Sequence, residues 1–308
     1  MVRRINRIAF DRLTPESSCV LGPYAPPIAR VSLGEEVEIE TWDCYGGTVK
    51  PGQTRQQAIE RGIKTLTNPV TGPIYVEGAE PGDALQVTVL GIDLPERGYT
   101  GLGHGVSPLG LHVEQPKARH VEIIGGRVHY VTDKGRDLAI EAEPFVGTIG
   151  VSPASEAVST TTPGHHGGNM DCPDIRAGNT LTLSVSRPGA LFGLGDVHAL
   201  QGDGEVSGTA VEVEATVRLR FDLKKAAKIT WPRVESPDEI MTVCSSKPLE
   251  DAARLAYREL IGWMTRDYGF SRDDAHLLLS LVGKARIAQI VDPLYTVVAK
   301  VAKRHLKE

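Results

Sequence analysis

The chain has 308 residues and a formal net charge of −5, with hydrophobic residues making up 41% and charged residues 24% of it. This length allows one large domain, or two closely joined ones, with a sizeable buried core. Basic and acidic residues are mixed along the chain, without the basic stripe and interleaved aromatic residues of a nucleic-acid-binding surface. No apolar run approaches the roughly 18 residues of a membrane span, so neither a membrane nor a nucleic acid is an expected partner.

Cysteine spacing and the N-terminal sequence give an expectation for the cellular compartment of the protein. The cysteines Cys19, Cys44, Cys172 and Cys244 are far apart and form no CxxC pair. This pattern indicates neither a disulfide framework nor a thiolate zinc site. The arginines near the N-terminus are not followed by the apolar core of a signal peptide, so a cytoplasmic protein is the expectation.

Glycine (33 residues) and proline (20 residues) are frequent, which favours short strands and many turns over long helices. Short runs with alternating or β-favouring residues predict strands. In chain order these are residues 36–42, 74–76, 84–92, 138–142 and 180–185. A hairpin is predicted over residues 120–131, because two alternating runs flank Gly125 and Gly126, which suit a tight turn.

The clearest strand pattern covers residues 211–223, where odd positions are apolar and even positions are polar. This period of two predicts one strand of an antiparallel sheet with a dry face and a wet face. Glu212 is thereby placed on the wet face.

Helices are predicted near the end of the chain. Residues 249–266 carry apolar side chains at helical spacing, and residues 273–282 form a second helix with Ser271 as N-cap and Asp274 three residues later. Residues 56–66 are a weaker third candidate, and residues 294–301 a closing strand. The order predicts a mainly β fold: an antiparallel β-sandwich or barrel-like body (residues 1–225) carrying the active-site loops, with a smaller α+β C-terminal part (residues 226–308) packed on it.

The segment 164–171, Gly-His-His-Gly-Gly-Asn-Met-Asp, concentrates reactive groups among glycines. Glycines let backbone N–H groups approach a ligand closely. The segment is therefore interpreted as part of an active site, with a plain polar loop as the alternative. The predicted substrate-binding residues are His165, Gly167, Gly168 and Asn169, joined by Thr148 from the segment 145–150.

The segment 195–205 places Asp196 two residues before His198, and Asp203 two residues before Glu205. In an extended chain, residues two apart share a face. An imidazole with several carboxylates is a usual ligand set for zinc or another divalent ion. A carboxylate left unligated could act as general base. The alternative is a glycine-rich hairpin with solvated charges.

Two further positions complete the candidate site. Asp43 ends an apolar run and precedes two glycines, so it is either a metal ligand or a turn former. His104 stands between glycines and is predicted to be exposed to an approaching ligand, with a mobile loop as the alternative. The sequence contains no GxSxG, Walker or HExxH motif. Thiol chemistry at Cys44 or Cys172 is disfavoured, because an adjacent Asp raises the pKa of a thiol.

Taken together, the motifs of residues 166–171 and 195–205 resemble the acetamidase/formamidase family. The segment 189–192 between them, residues 41–43, 72–83, 147–150 and 291–293 extend the resemblance over nearly the whole chain. The chain is similar to the shorter members, and it lacks extra segments of the longer formamidases. The resemblance implies hydrolysis of a short carboxamide to a carboxylic acid and ammonia, a β-sandwich body with a smaller α/β part, and an oligomer, for which a homodimer is expected.

The residue types and the resemblance both suggest a divalent metal, with zinc preferred and calcium as the alternative. The predicted ligands are Asp43, His198, and Asp171 or Asp196. Glu205 is predicted to accept a proton from water and return it to the departing amine. Backbone N–H groups near Gly167 or Gly147 would hold the oxyanion. Asp203 and His104 complete the predicted catalytic residues, and His104 or His165 would close the site.

Two alternatives remain open from the sequence. One is a hydrolase of a different linear or cyclic amide on the same scaffold. The other is a non-catalytic β-sandwich that binds a small ligand or calcium, although such a protein needs neither so many histidines nor Glu205 beside Asp203.

Overall fold

A computed structural model describes residues 2–50, 53–103 and 107–307 of the chain. The helices are α1 (Pro15–Ser18), α2 (Arg55–Glu60), α3 (Leu249–Asp267) and α4 (Arg272–Val282), with 3-10 turns at Phe10–Arg12, Gly110–His112 and Lys303–His305. The strands are β1 (Arg3–Ile5), β2 (Val20–Leu21), β3 (Ala29–Val31), β4 (Glu36–Thr41), β5 (Thr71–Val76), β6 (Ala84–Asp93), β7 (Arg97–Leu102), β8 (Lys117–Ile124), β9 (Arg127–Val131), β10 (Asp137–Glu141), β11 (Phe145–Gly150), β12 (Val158–Ser159), β13 (Gly167–Asn169), β14 (Thr180–Ser184), β15 (Phe192–His198), β16 (Glu212–Val213), β17 (Ala215–Lys224), β18 (Arg233–Glu235), β19 (Glu239–Ser246), β20 (Lys284–Gln289) and β21 (Tyr295–Ala302).

Two large sheets form the body of the protein. The first has nine strands in the order β1-β4-β17-β6-β14-β18-β19-β21-β20. The second has ten, with the path β10-β9-β8-β7-β16-β15-β11-β13, and with β5 beside β15 and β3 beside β5. The pairs β1–β4 and β3–β5 are parallel, and the other named strand pairs are antiparallel. The predicted mainly β class is confirmed.

The main hydrophobic core lies between the two sheets. It includes Val217 and Phe221 from β17 of the first sheet and Phe192 and Leu194 from β15 of the second, all of them buried. The rings of Phe192 and Phe221 meet edge to face with centroids 5.1 Å apart, a favourable aromatic geometry. Because both sheets contribute to one core, β15 is held rigidly where it ends at His198.

A second hydrophobic cluster joins α3, which packs on β19 and β21, to α4, which packs against α3. Its buried members fall between Trp231 and Leu306. The strands β18–β21 nevertheless continue the nine-stranded sheet of the body. The proposed division at residue 225 therefore stays a prediction. Within the described chain, no helix is both long and apolar enough to span a bilayer.

Most local predictions are confirmed within one to three residues. The hairpin β8–β9 turns at Gly125 and Gly126, which have φ values of 58° and 78°. The predicted long helices are α3 and α4, and the side chain of Ser271 accepts the N–H of Asp274 at the start of α4. The candidate helix 56–66 is shorter than predicted, because α2 ends at Glu60. Several strands were not predicted, among them β7, β15, β19 and β20.

The predicted single strand 211–223 is wrong. The chain leaves one sheet and enters the other: Val213 in β16 pairs with Val197 of the second sheet, whereas Ala215 in β17 pairs with Thr41 of the first. Glu212 is consequently buried, with 3% exposure, instead of lying on a wet face. The change of sheet depends on distant partners, which a local period of two does not report.

Candidate active site

The candidate site is built on four adjacent strands of the second sheet, in the order β16-β15-β11-β13. In the register of β15 and β16, His198 lies opposite Glu212, and in that of β11 and β13, Thr148 lies opposite Asn169. Asp196 and His198 are two residues apart on β15, as predicted for residues that share a face. Sheet pairing thus gathers side chains from four separate segments of the chain.

Two loops bring further acids to this surface. The loop after β15 is fixed to β20 by hydrogen bonds from the N–H of Gly204 to the carbonyls of Ile287 and Ala288. Glu205 follows directly and is buried, with 7% exposure. After β20, the backbone N–H of Asp292 donates to Oε1 of Gln289. The two sheets therefore contribute jointly to one site.

Backbone strain is concentrated here. Eight non-glycine residues of the described chain have positive φ, and four of them belong to the site: Asn68 (49°), Asp171 (42°), Asp196 (55°) and Glu205 (48°). L-residues adopt this region rarely and at a cost, and such strain clusters at functional sites. The strained backbone at Asp171, Asp196 and Glu205 directs these three carboxylates into the site.

His198 is held in one tautomer by Gln201. The Gln201 Nε2 donates to the carbonyls of Asp171 and Ala288 at 3.2 and 3.0 Å, so its Oε1 faces His198 Nδ1 at 2.9 Å. Nδ1 therefore carries a hydrogen, and in a neutral imidazole Nε2 presents its lone pair. A second polar group that fixes the ring in this way is typical of a metal-binding histidine.

Three carboxylates face that Nε2. It lies 3.1 Å from Glu212 Oε2, 3.3 Å from Asp196 Oδ1 and 4.0 Å from Asp171 Oδ1. Glu212 Oε2 and Asp171 Oδ1 are buried and have no hydrogen-bond partner. Buried oxygens of this kind are costly unless a cation or proton satisfies them.

Ligand atoms of these residues could hold a cation. Within each of three overlapping groups, the ligand atoms lie within 4.8 Å of one another. The groups are Asp171–Asp196–His198, His198–Glu205–Glu212 and Cys44–Asp196–Glu212. The set combines imidazole nitrogen, carboxylate oxygen and a thiol, which suits a divalent transition-type ion.

Burial and mutual repulsion shift the acid pKa values. Burial, with the charges of Asp196 and Glu212 adding to it, outweighs His198 and raises the pKa of Asp171 to about 8. Burial, followed by repulsion from Asp171, raises the pKa of Glu205 well above its usual value. Burial and Asp171 act in the same direction on the pKa of Asp292. The site therefore carries more negative charge than its own basic groups neutralise.

His198 and Asp196 shift in the opposite sense. Burial disfavours the imidazolium, but Glu212 and Asp196 outweigh it and raise the pKa of His198 well above 6.5. Burial also disfavours ionised Asp196, yet the His198 charge and hydrogen bonds with His198 and Thr148 hold its pKa below the usual value. A single imidazolium cannot balance four buried carboxylates and the half-buried Asp292, so protons or a metal cation must supply the remaining charge.

Gly147 leaves the space in which these carboxylates meet. A Cβ at this position would lie 2.6 Å from Asp171 Oδ1, 2.7 Å from the Asp196 carbonyl oxygen and 3.1 Å from Asp196 Oδ2. The first two distances are too short for any side chain. The glycine of β11 is thus a steric requirement of the carboxylate cluster.

Amide and hydroxyl groups orient three of the acids. Asn68 Nδ2 donates to Asp196 Oδ2 at 2.7 Å, and Thr148 Oγ1 contacts the same oxygen at 3.1 Å. Asn169 Nδ2 donates to Asp171 Oδ2 and Asp292 Oδ2, each at 2.9 Å, while its Oδ1 accepts from Asn68 and Thr148. Oxygens Oδ1 of Asp196 and Asp171 remain directed towards His198.

The cluster opens into a cavity of about 460 Å³. Its lining among the described residues includes Asp196, His198, Glu205, Glu212, Asp292, Asn68, Asn169, Cys44, Tyr45, Tyr99, Arg55 and Thr209. The rings of Tyr45 and Tyr99 meet edge to face, with centroids 5.9 Å apart. The cavity therefore has an acidic end and an aromatic wall, an arrangement suited to a small molecule.

The structure brings together six residues predicted from the sequence and leaves others apart. Asp171, Asp196, His198, Glu205, Asn169 and Thr148 belong to the contact network described above. Asp203 lies at the surface, 56% exposed, with its Oδ1 2.9 Å from Arg286 Nε. Asp43 closes a turn, because its Oδ1 accepts the N–H groups of Tyr45 and Gly47.

The predicted substrate-binding residues His165, Gly167 and Gly168 occupy other surroundings. His165 is exposed, with its ring 3.8 Å from that of Trp231 and Nδ1 3.1 Å from the Thr230 carbonyl. The N–H of Gly167 donates to the carbonyl of Gly164. A Cβ on Gly167 or Gly168 would collide with the Ile149 or Thr162 carbonyl, so close backbone packing requires both glycines. His104 lies outside the described residues.

Sequence reasoning missed Glu212, Asp292, Asn68 and Gln201, and it considered Cys44 only as a disfavoured nucleophile. Glu212 was hidden by the alternation of residues 211–223, and Asp292 lies 87 residues after Glu205 in the chain. The signal that could have found Glu212 is an acid in a strand directly after the motif of residues 195–205. Asn68 and Gln201 carry no charge, and their roles depend on hydrogen bonds between distant segments.

Comparisons with known proteins agree with this picture. A model of the acetamidase/formamidase family matches residues 21–160 and 154–302. The structure of an acetamidase from Bacillus halodurans is 32% identical, with a TM-score of 0.89 and 98% of each chain covered. An acetamidase from Yersinia enterocolitica is 34% identical, with a TM-score of 0.88, over 100% of this chain and 94% of that one.

A formamidase from Methylophilus methylotrophus is 26% identical over 258 residues, which are 66% of this chain and 63% of the formamidase. The match thus spans less than two thirds of that enzyme, in keeping with the predicted similarity to shorter members.

Proposed function

Because the chain belongs to the acetamidase/formamidase family, we propose that it hydrolyses a short carboxamide to a carboxylate and ammonia. The proposal is carried by one observation: the buried His198 Nε2 and three carboxylates converge at the end of a cavity of about 460 Å³. Such a cluster can bind a cation and move a proton, which are the two tasks that hydrolysis of an unreactive amide requires.

We propose that the cation is a divalent metal, with zinc preferred over calcium. The ligands would be His198 Nε2, Asp196 Oδ1, Asp171 Oδ1 and Glu212 Oε2. The nitrogen donor favours zinc, because calcium takes oxygen ligands. When bound, the ion would polarise the amide carbonyl and lower the pKa of water towards about 7. Asp43, predicted as a ligand from the sequence, is assigned to the turn at residues 43–47 in this proposal.

Glu205 is proposed as the residue that accepts the proton of the attacking water and returns it to the departing amine. Its burial and its place in the group with His198 and Glu212 support this role. Asn169 and Thr148 would position Asp171 and Asp196 through the hydrogen bonds described above. Asp203 and His165 have no part in the proposed mechanism, because their contacts lie elsewhere.

Metal removal tests both proposals. We expect ammonia release from formamide, acetamide or propionamide, loss of that activity after dialysis against a chelator, and recovery on addition of zinc. Elemental analysis should find a divalent ion in the active protein. Ammonia release by fully metal-free protein would contradict the metal role, and no ammonia from any amide would contradict the function.

Replacing Glu205 by glutamine should lower kcat by about 10²- to 10⁴-fold, the usual contribution of a general base or acid. The base must be ionised, so wild-type kcat/KM should rise with pH through the raised pKa of Glu205, and the variant should lack that limb of the profile. Glu141→Gln, which neutralises an exposed glutamate on β10, is the matched control. A Glu205→Gln enzyme with near-normal turnover would remove Glu205 from catalysis.

A cytoplasmic location and a homodimer are the remaining expectations. The free thiols Cys19, Cys44, Cys172 and Cys244 are compatible with a reducing compartment. Leu277 and Leu281, exposed by 66% and 81% on α4, offer apolar area for contact with a second subunit.

A further inference from the structure

The cavity contains a positive charge that hydrolysis of a small neutral amide does not require. Arg55 is the one arginine or lysine among the described residues that line the cavity. Within the described parts of the chain, no carboxylate lies within ion-pair distance of its guanidinium, and its buried Nε has no hydrogen-bond partner. A half-buried guanidinium without an anion leaves N–H donors without acceptors, which costs free energy.

The contacts of Arg55 place it near the acidic cluster, yet apart from it. Its Nη2 donates to Thr67 Oγ1 at 3.0 Å, and the next residue, Asn68, donates to Asp196 Oδ2 at 2.7 Å. Its guanidinium carbon also lies 5.6 Å from the ring centroid of Tyr45, which follows Cys44 of the cluster. Arg55 is thereby fixed from two sides.

The volume of the cavity also indicates a substrate larger than acetamide. A water molecule occupies about 30 Å³ of liquid, so an amide with four non-hydrogen atoms, such as acetamide, fills only on the order of 100 Å³. The cavity measures about 460 Å³. Space therefore remains between a carbonyl at the acidic end and the Arg55 guanidinium.

We propose that the preferred substrate is the half-amide of a short dicarboxylic acid, whose free carboxylate is bound by Arg55. This inference rests on the proposed amide hydrolysis and names its substrate class. The planar guanidinium matches a carboxylate with two parallel hydrogen bonds. The hydroxyl of Thr67 keeps the guanidinium in place through one Nη2 hydrogen, and the remaining Nη hydrogens would donate to the carboxylate. The amide group lies at the acidic end, where a second negative charge would be repelled, so Arg55 also sets the orientation of the substrate.

The test compares succinamate with 4-methylpentanamide, a neutral amide of nearly the same shape, by ammonia release. We expect wild-type kcat/KM to be at least about tenfold higher for succinamate, and Arg55→Gln to lower this ratio by about 10- to 100-fold, the effect of hydrogen bonds to a charged group. Arg55→Lys should retain part of the preference. The control Arg61→Gln removes an exposed arginine next to the same helix and should leave the ratio unchanged.

A measurement without turnover separates this inference from the proposed function. Succinate should bind the wild-type protein in calorimetry more tightly than 4-methylpentanoate, and Arg55→Gln should lose that difference. Hydrolysis of neutral amides with a ratio near one in the wild type, unchanged by Arg55→Gln, would overturn the inference and leave amide hydrolysis standing. Succinate binding that depends on Arg55 without ammonia from any amide would support the carboxylate site and contradict the hydrolytic function.

Discussion

Replacing His198 with alanine is expected to reduce kcat/KM for amide hydrolysis by at least about 10³-fold and to remove the bound divalent ion. His198 Nε2 lies within 4.0 Å of Asp171, Asp196 and Glu212, so one substitution removes the nitrogen around which the carboxylates are arranged. Steady-state kinetics and elemental analysis of the purified variant provide the measurement.

The same substitution should also affect stability. Without His198 and without an ion, the facing carboxylates are buried and unpaired, which costs about 3–5 kcal/mol when one partner of a buried pair is removed, unless they take up protons. We therefore expect a lower melting temperature at pH 8 than at pH 5, because a carboxyl with raised pKa is protonated in the folded state and loses that advantage as pH rises. His129→Ala, which removes a histidine paired with Asp137 at the surface of β9, is the control.

Retention of both the ion and near-normal turnover by His198→Ala would contradict the assignment of this residue. His198→Gln keeps a polar side chain at the position and should fold better than the alanine variant. It therefore separates loss of activity from loss of structure: its circular dichroism should match the wild type, whereas its activity should still be lost.

Elements determined by local chemistry could be predicted from the sequence. The turn at Gly125 and Gly126, the N-cap Ser271 and the apolar stripe of α3 act within a few residues, and each is where the pattern indicated. The split of residues 211–223 between two sheets could not be predicted in this way. Its cause is the pairing of Val213 with Val197 and of Ala215 with Thr41, and these partners are distant in the chain.

The residues of the candidate site also divide into those that local motifs indicate and those that depend on distant segments. Asp171, Asp196, His198 and Glu205 stand in two glycine-rich motifs, so their chemistry was visible in the sequence. Asp203 and Glu205 were both predicted as catalytic residues, but Glu205 is buried at a positive φ whereas Asp203 lies at the surface beside Arg286. The placement of these acids depends on the loop's backbone, which hydrogen bonds of Gly204 fix to the distant strand β20.

The alanine variant of Gly147 is the second change for which we expect a large effect. Its Cβ would lie 2.6 Å from Asp171 Oδ1 and 2.7 Å from the Asp196 carbonyl, so a carboxylate or a strand must move. Overpacking of this kind costs about 1–3 kcal/mol in stability, and a displacement of about 1 Å in a catalytic group can cost 10²-fold in rate. We therefore expect kcat/KM to fall by at least about 10²-fold, with weaker ion binding.

Gly91→Ala is the matched control for this variant. Gly91 also lies within a strand, β6, but there the nearest atom to an added Cβ is Nη2 of Arg218, at 3.8 Å, which is ordinary contact. The two variants add the same methyl group to the same kind of backbone, so a difference in activity between them reports the space that the carboxylates need. Equal activity of Gly147→Ala and Gly91→Ala would mean that the carboxylate cluster tolerates displacement. Hydrolysis would then not depend on the close spacing of the carboxylates around His198.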